Sequence, residues 1–254
     1  MKSFNAIPIA TILFFSILQG PAFCADTLEN FEPGFSDVEF YAGTSGLGQK
    51  HSEVVRSGEV LLGVGLHEKL SGYFGAAFEA DAHLAGAAAG LNLGLFSTLH
   101  DGEHIDFDLL LDLGMAGSAS DMMNVMVGGE LNYDESSGQS NWGVFLNLSA
   151  AWRNAGADEG VVSERIAMDL PMLIGAYRGL GSGGQLFATF DMILFDLGQA
   201  NMENQAHIAL GFNQPLAGNL ELITEYALCL HEEGSRDWRA HHHGLTIGLI
   251  STLP

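Results

Sequence analysis

From Ile105 to Met115 an apolar residue occupies every odd position, while Asp106, Asp108 and Asp112 share the even ones. Side chains of a strand point alternately to opposite faces, so this pattern predicts a β-strand with one greasy surface and one carboxylate-bearing surface. The rhythm recurs along the chain. Leu220, Leu222, Thr224, Tyr226, Leu228 and Leu230 oppose Glu221 and Glu225; Trp142, Val144, Leu146, Leu148, Ala150 and Trp152 oppose Asn147, Ser149 and Arg153; Val60, Leu62, Val64 and Leu66 oppose Glu59, Gly63 and Gly65. No long segment keeps a helical period instead.

Polar turn signals cut these runs at 67–71, 100–104, 134–140, 179–184 and 215–219, alternating with a second set at 116–121, 154–160, 198–204 and 231–241. Counted from Val38, that spacing gives about twelve strands, the even number expected of a single-chain bacterial barrel. The expected fold is all-β: a transmembrane antiparallel up-and-down β-barrel over residues 38–254, with both termini on the periplasmic side. A soluble β-sandwich also alternates. Runs of about ten residues, however, suit a tilted membrane crossing better than the shorter strands of soluble sheets. Tyr133, Trp142 and Phe212 sit beside one set of turns and Trp152 beside the other, as interfacial girdles require, and the opposite faces are rich in Gly, Ala and Asp.

The N-terminus sets the compartment. Lys2 is the only charge before Asp26, the run from Ala6 to Leu18 is almost wholly apolar, and Gly20, Pro21 and Ala22 follow. Residues 1–24 therefore read as a cleaved secretory signal peptide, too short in its apolar core for a spanning helix. Residues 25–37 read as an N-terminal periplasmic segment. Cleavage after Cys24 leaves Cys229 as the mature chain's one cysteine, so no internal disulfide is expected. A formal net charge of -22 argues against nucleic acid as a partner.

With the apolar faces against lipid, the other faces carry Glu59, Glu79, Asp106, Asp108, Asp112, Glu130, Asp169, Asp191, Glu221 and Glu225 into the lumen, with Arg153 and Arg165 as bases. A conduit so lined attracts cations and opposes anions, so a narrow acidic pathway for small-molecule solutes is expected. The same acids also serve a plugged or purely structural barrel, where they hydrate the lumen and pair with neighbouring amides and hydroxyls. His241, His242 and His243 lie in the last loop of this reading, near His231 and Asp237, and offer nitrogen ligands. Adjacent strand residues face opposite ways, so all of them cannot serve one metal unless the segment is irregular; no metal and no cofactor is expected. A lipid hydrolase needs a serine nucleophile beside a histidine base, and no strand pairs them. A protease-like pairing of Asp and His from different strands is not readable from one sequence.

Two features resemble known proteins. Outer-membrane barrels carry an assembly signal in the last strand, a polar residue and a glycine followed by two spaced hydrophobics, and His242, Gly244, Ile247 and Leu249 resemble it, although the chain runs on to Pro254. That resemblance implies handling by the barrel assembly machinery and a resting place among outer-membrane lipids. The hairpin rhythm of Gly58–Phe78 and Gly211–Tyr226 is similar in texture to the porin-like transporters that include the MetA-pathway proteins of phenol degradation. This implies small hydrophobic or weakly polar cargo.

Overall fold

The computed structural model describes residues 36–47, 55–81, 87–116, 123–137, 140–155, 165–180, 183–194, 204–217, 219–233 and 237–253. The expected signal peptide, 1–24, and most of the 25–37 segment lie outside the described residues. The strands are β1 (Ser36–Leu47), β2 (Val55–His67), β3 (Leu70–Asp81), β4 (Ala87–Asp101), β5 (Ile105–Ala116), β6 (Met123–Ser137), β7 (Ser140–Ala155), β8 (Arg165–Gly179), β9 (Gln185–Leu194), β10 (Gln205–Ala217), β11 (Leu220–Glu233) and β12 (Asp237–Leu253).

Each strand pairs antiparallel with its sequence neighbours, and β1 pairs with both β2 and β12, so the twelve strands close into a barrel. Closure satisfies every edge, which a sheet in hydrocarbon requires. Strand spacing near 4.8 Å and a tilt near 40° give roughly 24 Å between opposite backbones. Side chains fill much of that width.

The register divides each strand's residues into two faces. Leu62, Phe74, Leu93, Leu111, Val127, Leu148, Ile174, Leu210 and Ile247 stand on the outer face and are exposed. An apolar surface that encircles the molecule is stable against lipid tails and not against water. At the end carrying the short turns, the Tyr133 ring lies 5.6 Å from Trp142 and 6.2 Å from His104, an aromatic edge to the apolar belt. Phe78 covers Gly58 on the outer face, where an added Cβ would come within 2.3 Å of the ring.

The last hairpin corrects the sequence reading. Residues 231–241 were expected to form a loop, but β11 and β12 pair out to Glu233 and Asp237, so His231 and His241–His243 are strand residues. The register shifts between Cys229 and Leu230, where His241 is the extra residue of a bulge in β12. That insertion breaks the alternation, and few apolar residues mark the segment, which is why periodicity missed it.

Candidate functional site

The barrel interior is built from β-strand rows, each row taking one side chain from every successive strand. Asp108 on β5 lies directly opposite Glu130 on β6, and both are almost wholly buried. Like charges set side by side destabilise a sheet unless other groups intervene. Here Thr98 Oγ1 donates to Asp108 at 2.5 Å and Asn132 Nδ2 at 3.4 Å, while Asn147 Nδ2 donates to Glu130 at 3.3 Å. Ser149 Oγ in turn donates to Asn147 at 2.9 Å. The carboxylates are thus spaced by amides and hydroxyls rather than by bases.

Asp112 belongs to another row, separated from Asp108 by the inward Leu110. It pairs with Gly94, and Tyr73 on β3 reaches across that glycine to donate its hydroxyl to Asp112. Elsewhere, Asn213 Nδ2 donates to Glu221 at 2.8 Å, and Tyr41 Oη donates to Glu39 at 2.5 Å. Glu59 lies opposite Tyr41. Asp106 takes the Gly102 amide at 3.0 Å near the mouth that carries the short turns.

Glu225 and Asp169 are buried on the inward face, opposite Gly211 and Ala151. The register sets Glu79 opposite Ser57, Arg153 opposite Asn124 and Arg165 opposite Ala155; their side chains lie outside the described residues. Arg153 and Arg165 stand at the strand ends remote from the short turns. Arg56 and Arg178 are exposed and register with the outer face.

Acceptors outnumber donors inside. Asp37 Oδ1, Glu59 Oε1, Asp112 Oδ1, Asn124 Oδ1, Asn132 Oδ1 and Asn213 Oδ1 are shut from solvent with no donor, whereas among the described residues Asn92 Nδ2 is the only side-chain donor so stranded. Such orphans are costly, on the order of 1–3 kcal/mol each, and charged ones more.

Sequence periodicity missed an apolar collar within the same interior. Tyr41, Leu61, Phe187 and Ile223 pack together with Tyr73, Tyr177 and Ile250, and Tyr73 joins them to Phe96, Leu110, Met126, Ala151 and Ile193. Several of the rings lie over cross-strand glycines: Tyr41 over Gly248, Tyr73 over Gly94, Phe145 over Gly175, Phe187 over Gly211. A Cβ at Gly211 would come within 1.9 Å of Phe187, so only glycine admits the ring flat against the wall. The expected polar lumen is therefore polar and aromatic together.

The interior also holds a row that no local pattern could reveal. Asp191, His207 and Cys229 are direct cross-strand partners on β9, β10 and β11. His207 Nδ1 lies 2.7 Å from Asp191, and Cys229 stands opposite His207 on β11. Cys229 is buried and unpaired by any disulfide. This order of acid, imidazole and thiol matches a nucleophilic relay in type. Cys229 is 3% exposed, whereas the His207 side chain is 23% exposed.

The side chains of His241 and His242 lie outside the described residues, so only the backbone register places those two. Backbone pairing sets His242 opposite Cys229, whereas His243 pairs with Leu228 on the outer face, stacked on Tyr226 at 5.7 Å with its Nδ1 2.5 Å from the hydroxyl. Among the described residues no group of His, Cys, Asp and Glu is placed to hold a metal. His104 accompanies Tyr133 at the rim and contacts the Asp134 carbonyl at 3.0 Å, not Asp106 or Asp108. Of the assembly-signal residues, His242 and Gly244 register with the inner face, and Ile247 and Leu249 are exposed on the outer one.

Solved structures share this architecture. An outer-membrane channel from Pseudomonas putida aligns with a TM-score of 0.64 over 90% of the chain and 99% of its own length, at 13% identity. The NanC porin aligns at 0.59, covering 85% of the chain and 100% of its own, at 11% identity. The fold is that of outer-membrane porins and channels. The translocator domain of the autotransporter NalP from Neisseria meningitidis also aligns, at 0.56 and 12% identity over 97% of the chain and 96% of the domain. No family model matches the sequence, and the search of curated proteins finds no relative. At these identities the likeness is one of fold: the porin-like resemblance of the sequence holds at that level, and cargo is a separate question.

Proposed function

We propose that the chain is an outer-membrane barrel giving small solutes a narrow, cation-preferring path across the membrane. The observation that carries the reading is the excess of inward carboxylates and stranded acceptor oxygens over inward bases. Charges facing a low-dielectric wall focus their field along the bore, so cations are concentrated and anions opposed. The porin and channel neighbours support passage as the general task. The N-terminal signal and the apolar belt support export to the outer membrane. Outer-membrane lipids and the barrel assembly machinery are then the expected partners.

The aromatic collar restricts what passes. With Tyr41, Phe96, Phe187 and Ile223 projecting inward, bulky hydrated solutes are excluded and slim ones with some apolar surface are favoured. The same collar favours a second reading, a plugged barrel with a structural role in the envelope. An enzyme is the weakest reading, because the nucleophile-like row found among the described residues buries its cysteine. Planar-bilayer recording decides among them. Small steady conductance with a cation-directed reversal potential in a salt gradient supports the pathway, anion preference overturns the charge argument, and silence supports the structural barrel.

A further inference from the structure

On the outer face, at the end carrying the short turns, a carboxylate, an indole and a guanidinium stand in one cross-strand row. Glu135 of β6 lies directly opposite Trp142 of β7, and Trp142 lies opposite Arg178 of β8. Neighbouring strands are about 4.8 Å apart, so the acid and the base start roughly 10 Å from each other with the indole between them. Trp142 is 40% exposed, and Arg178 is exposed as well. Tyr133 Oη donates to Glu135 at 3.1 Å, which holds that carboxylate beside the ring pair of Tyr133 and Trp142.

The row lies where the apolar belt ends. On the same strands Leu131, Val144 and Ile174 are exposed on the outer face, whereas the turns after Ser137 and Gly179 follow the row at once. Charges on a lipid-facing wall cost little at that level, because they meet headgroups instead of hydrocarbon. Among the described residues no carboxylate is paired with Arg178, so a chain of net charge -22 leaves a guanidinium open at its lipid-facing edge. A lone arginine suits any phosphate. With a carboxylate on the other side of the same indole, the row matches a headgroup that carries both signs. An ethanolamine phospholipid fits it: the phosphate accepts from Arg178, the primary ammonium donates to Glu135, and the Trp142 ring lies beside the short link between them. A choline headgroup has no N–H to give Glu135, and a glycerol headgroup has no positive charge to set there.

We propose that Glu135, Trp142 and Arg178 form a headgroup site for phospholipids that carry a primary ammonium beside their phosphate. The site names a lipid partner for the barrel and rests on the membrane-spanning reading above, not on whether the lumen conducts. Both contacts stand at a wet edge, so the preference they give is small and screened by salt.

The test uses the whole mature chain with Trp152→Phe and Trp238→Phe, so that Trp142 alone emits, inserted into phosphatidylcholine vesicles. Phosphatidylethanolamine, phosphatidylcholine or phosphatidylglycerol with brominated acyl chains is mixed in at equal mole fraction, and bromine quenches the indole at close range. The ethanolamine lipid is expected to quench as though enriched about threefold over the choline lipid beside Trp142. Glu135→Gln is expected to abolish that preference and Arg178→Gln to reduce it by about half or more, with folding checked by heat-modifiable gel mobility. Equal quenching by the ethanolamine and choline lipids, stronger quenching by the glycerol lipid, or a preference intact in Glu135→Gln overturns the site. Should the tryptophan variant fail to insert, the same comparison between the parent chain and its Glu135→Gln variant reads the site by difference. A parent chain that stays out of the vesicles overturns the membrane reading and the site with it; one that inserts without lipid preference loses only the site.

Discussion

Tyr73 reaches over Gly94 to donate its hydroxyl to Asp112, linking β3 to β5 across the intervening strand. The arrangement depends on the glycine, since a Cβ there would come within 2.1 Å of the tyrosine ring. A wall position without a side chain is what lets an aromatic ring lie flat and place its polar tip two strands away.

Gly94→Ala is therefore expected to lift the ring and break the bond to Asp112. The loss combines overpacking with a second stranded carboxylate oxygen, about 1–3 kcal/mol for each effect. Tyr73→Phe keeps the ring seated and loses only the donor, so it should cost less. Urea unfolding of the refolded barrel, followed by gel mobility, measures both; equal stability of Gly94→Ala and the parent chain would contradict the account.

Facing is tested on β5. Leu111 is exposed on the lipid side while Asp108, three residues earlier, is buried inside. Leu111→Arg should cost about 2 to 4 kcal/mol if it stands near the bilayer midplane. Asp108→Asn keeps the shape of the interior, although one amide hydrogen must now face Thr98 or Asn132. Folding yield into lipid vesicles should fall sharply for the first variant and little for the second; the reverse order would mean the faces are exchanged.

The outer face was the legible half of this molecule. Lipid demands apolar residues at every other position, so Ile105 to Met115 announced both its strand and its facing without any partner. The inner face answers to no single rule. Leu110 sits between Asp108 and Asp112 because it packs with Phe96 and Met126, neighbours supplied by β4 and β6. The flat rings over glycines require knowledge of register, since Gly94 is unremarkable until Tyr73 is known to lie beside it. The row of Asp191, His207 and Cys229 is likewise a product of pairing among three strands, and the bulge at His241 shifted a hairpin that alternation misread.

Burial of Cys229 carries its own prediction. At 3% exposure, Cys229 should resist a bulky maleimide in the folded barrel and react readily once the chain is unfolded. Mass spectrometry before and after denaturation reads the difference. Rapid labelling of the folded protein would show that the lumen opens to this row, and would reopen the case for thiol chemistry there.

Cation preference itself is tested by removing charge without removing bulk. Asp106, Asp108 and Asp112 share one inward face but sit in different rows, Asp108 beside Glu130 and Asp112 beneath Tyr73. Neutralising all of them to Asn changes volume little, so the reversal potential in a salt gradient should move toward zero more than conductance falls. Raising the salt should have a parallel effect in the unmodified barrel, because the screening length shrinks to about 3 Å near 1 M. Asp108 is the informative member: its oxygens already accept from Thr98 and Asn132, so its field in the lumen is partly answered by those dipoles. Asp112 retains an oxygen without a donor, and Asp112→Asn alone should reproduce more of the triple variant's loss than Asp108→Asn alone. An unmodified channel that prefers anions, or a triple variant with unchanged selectivity, would mean that these carboxylates are protonated or neutralised by the lumen around them, and that selectivity is set elsewhere.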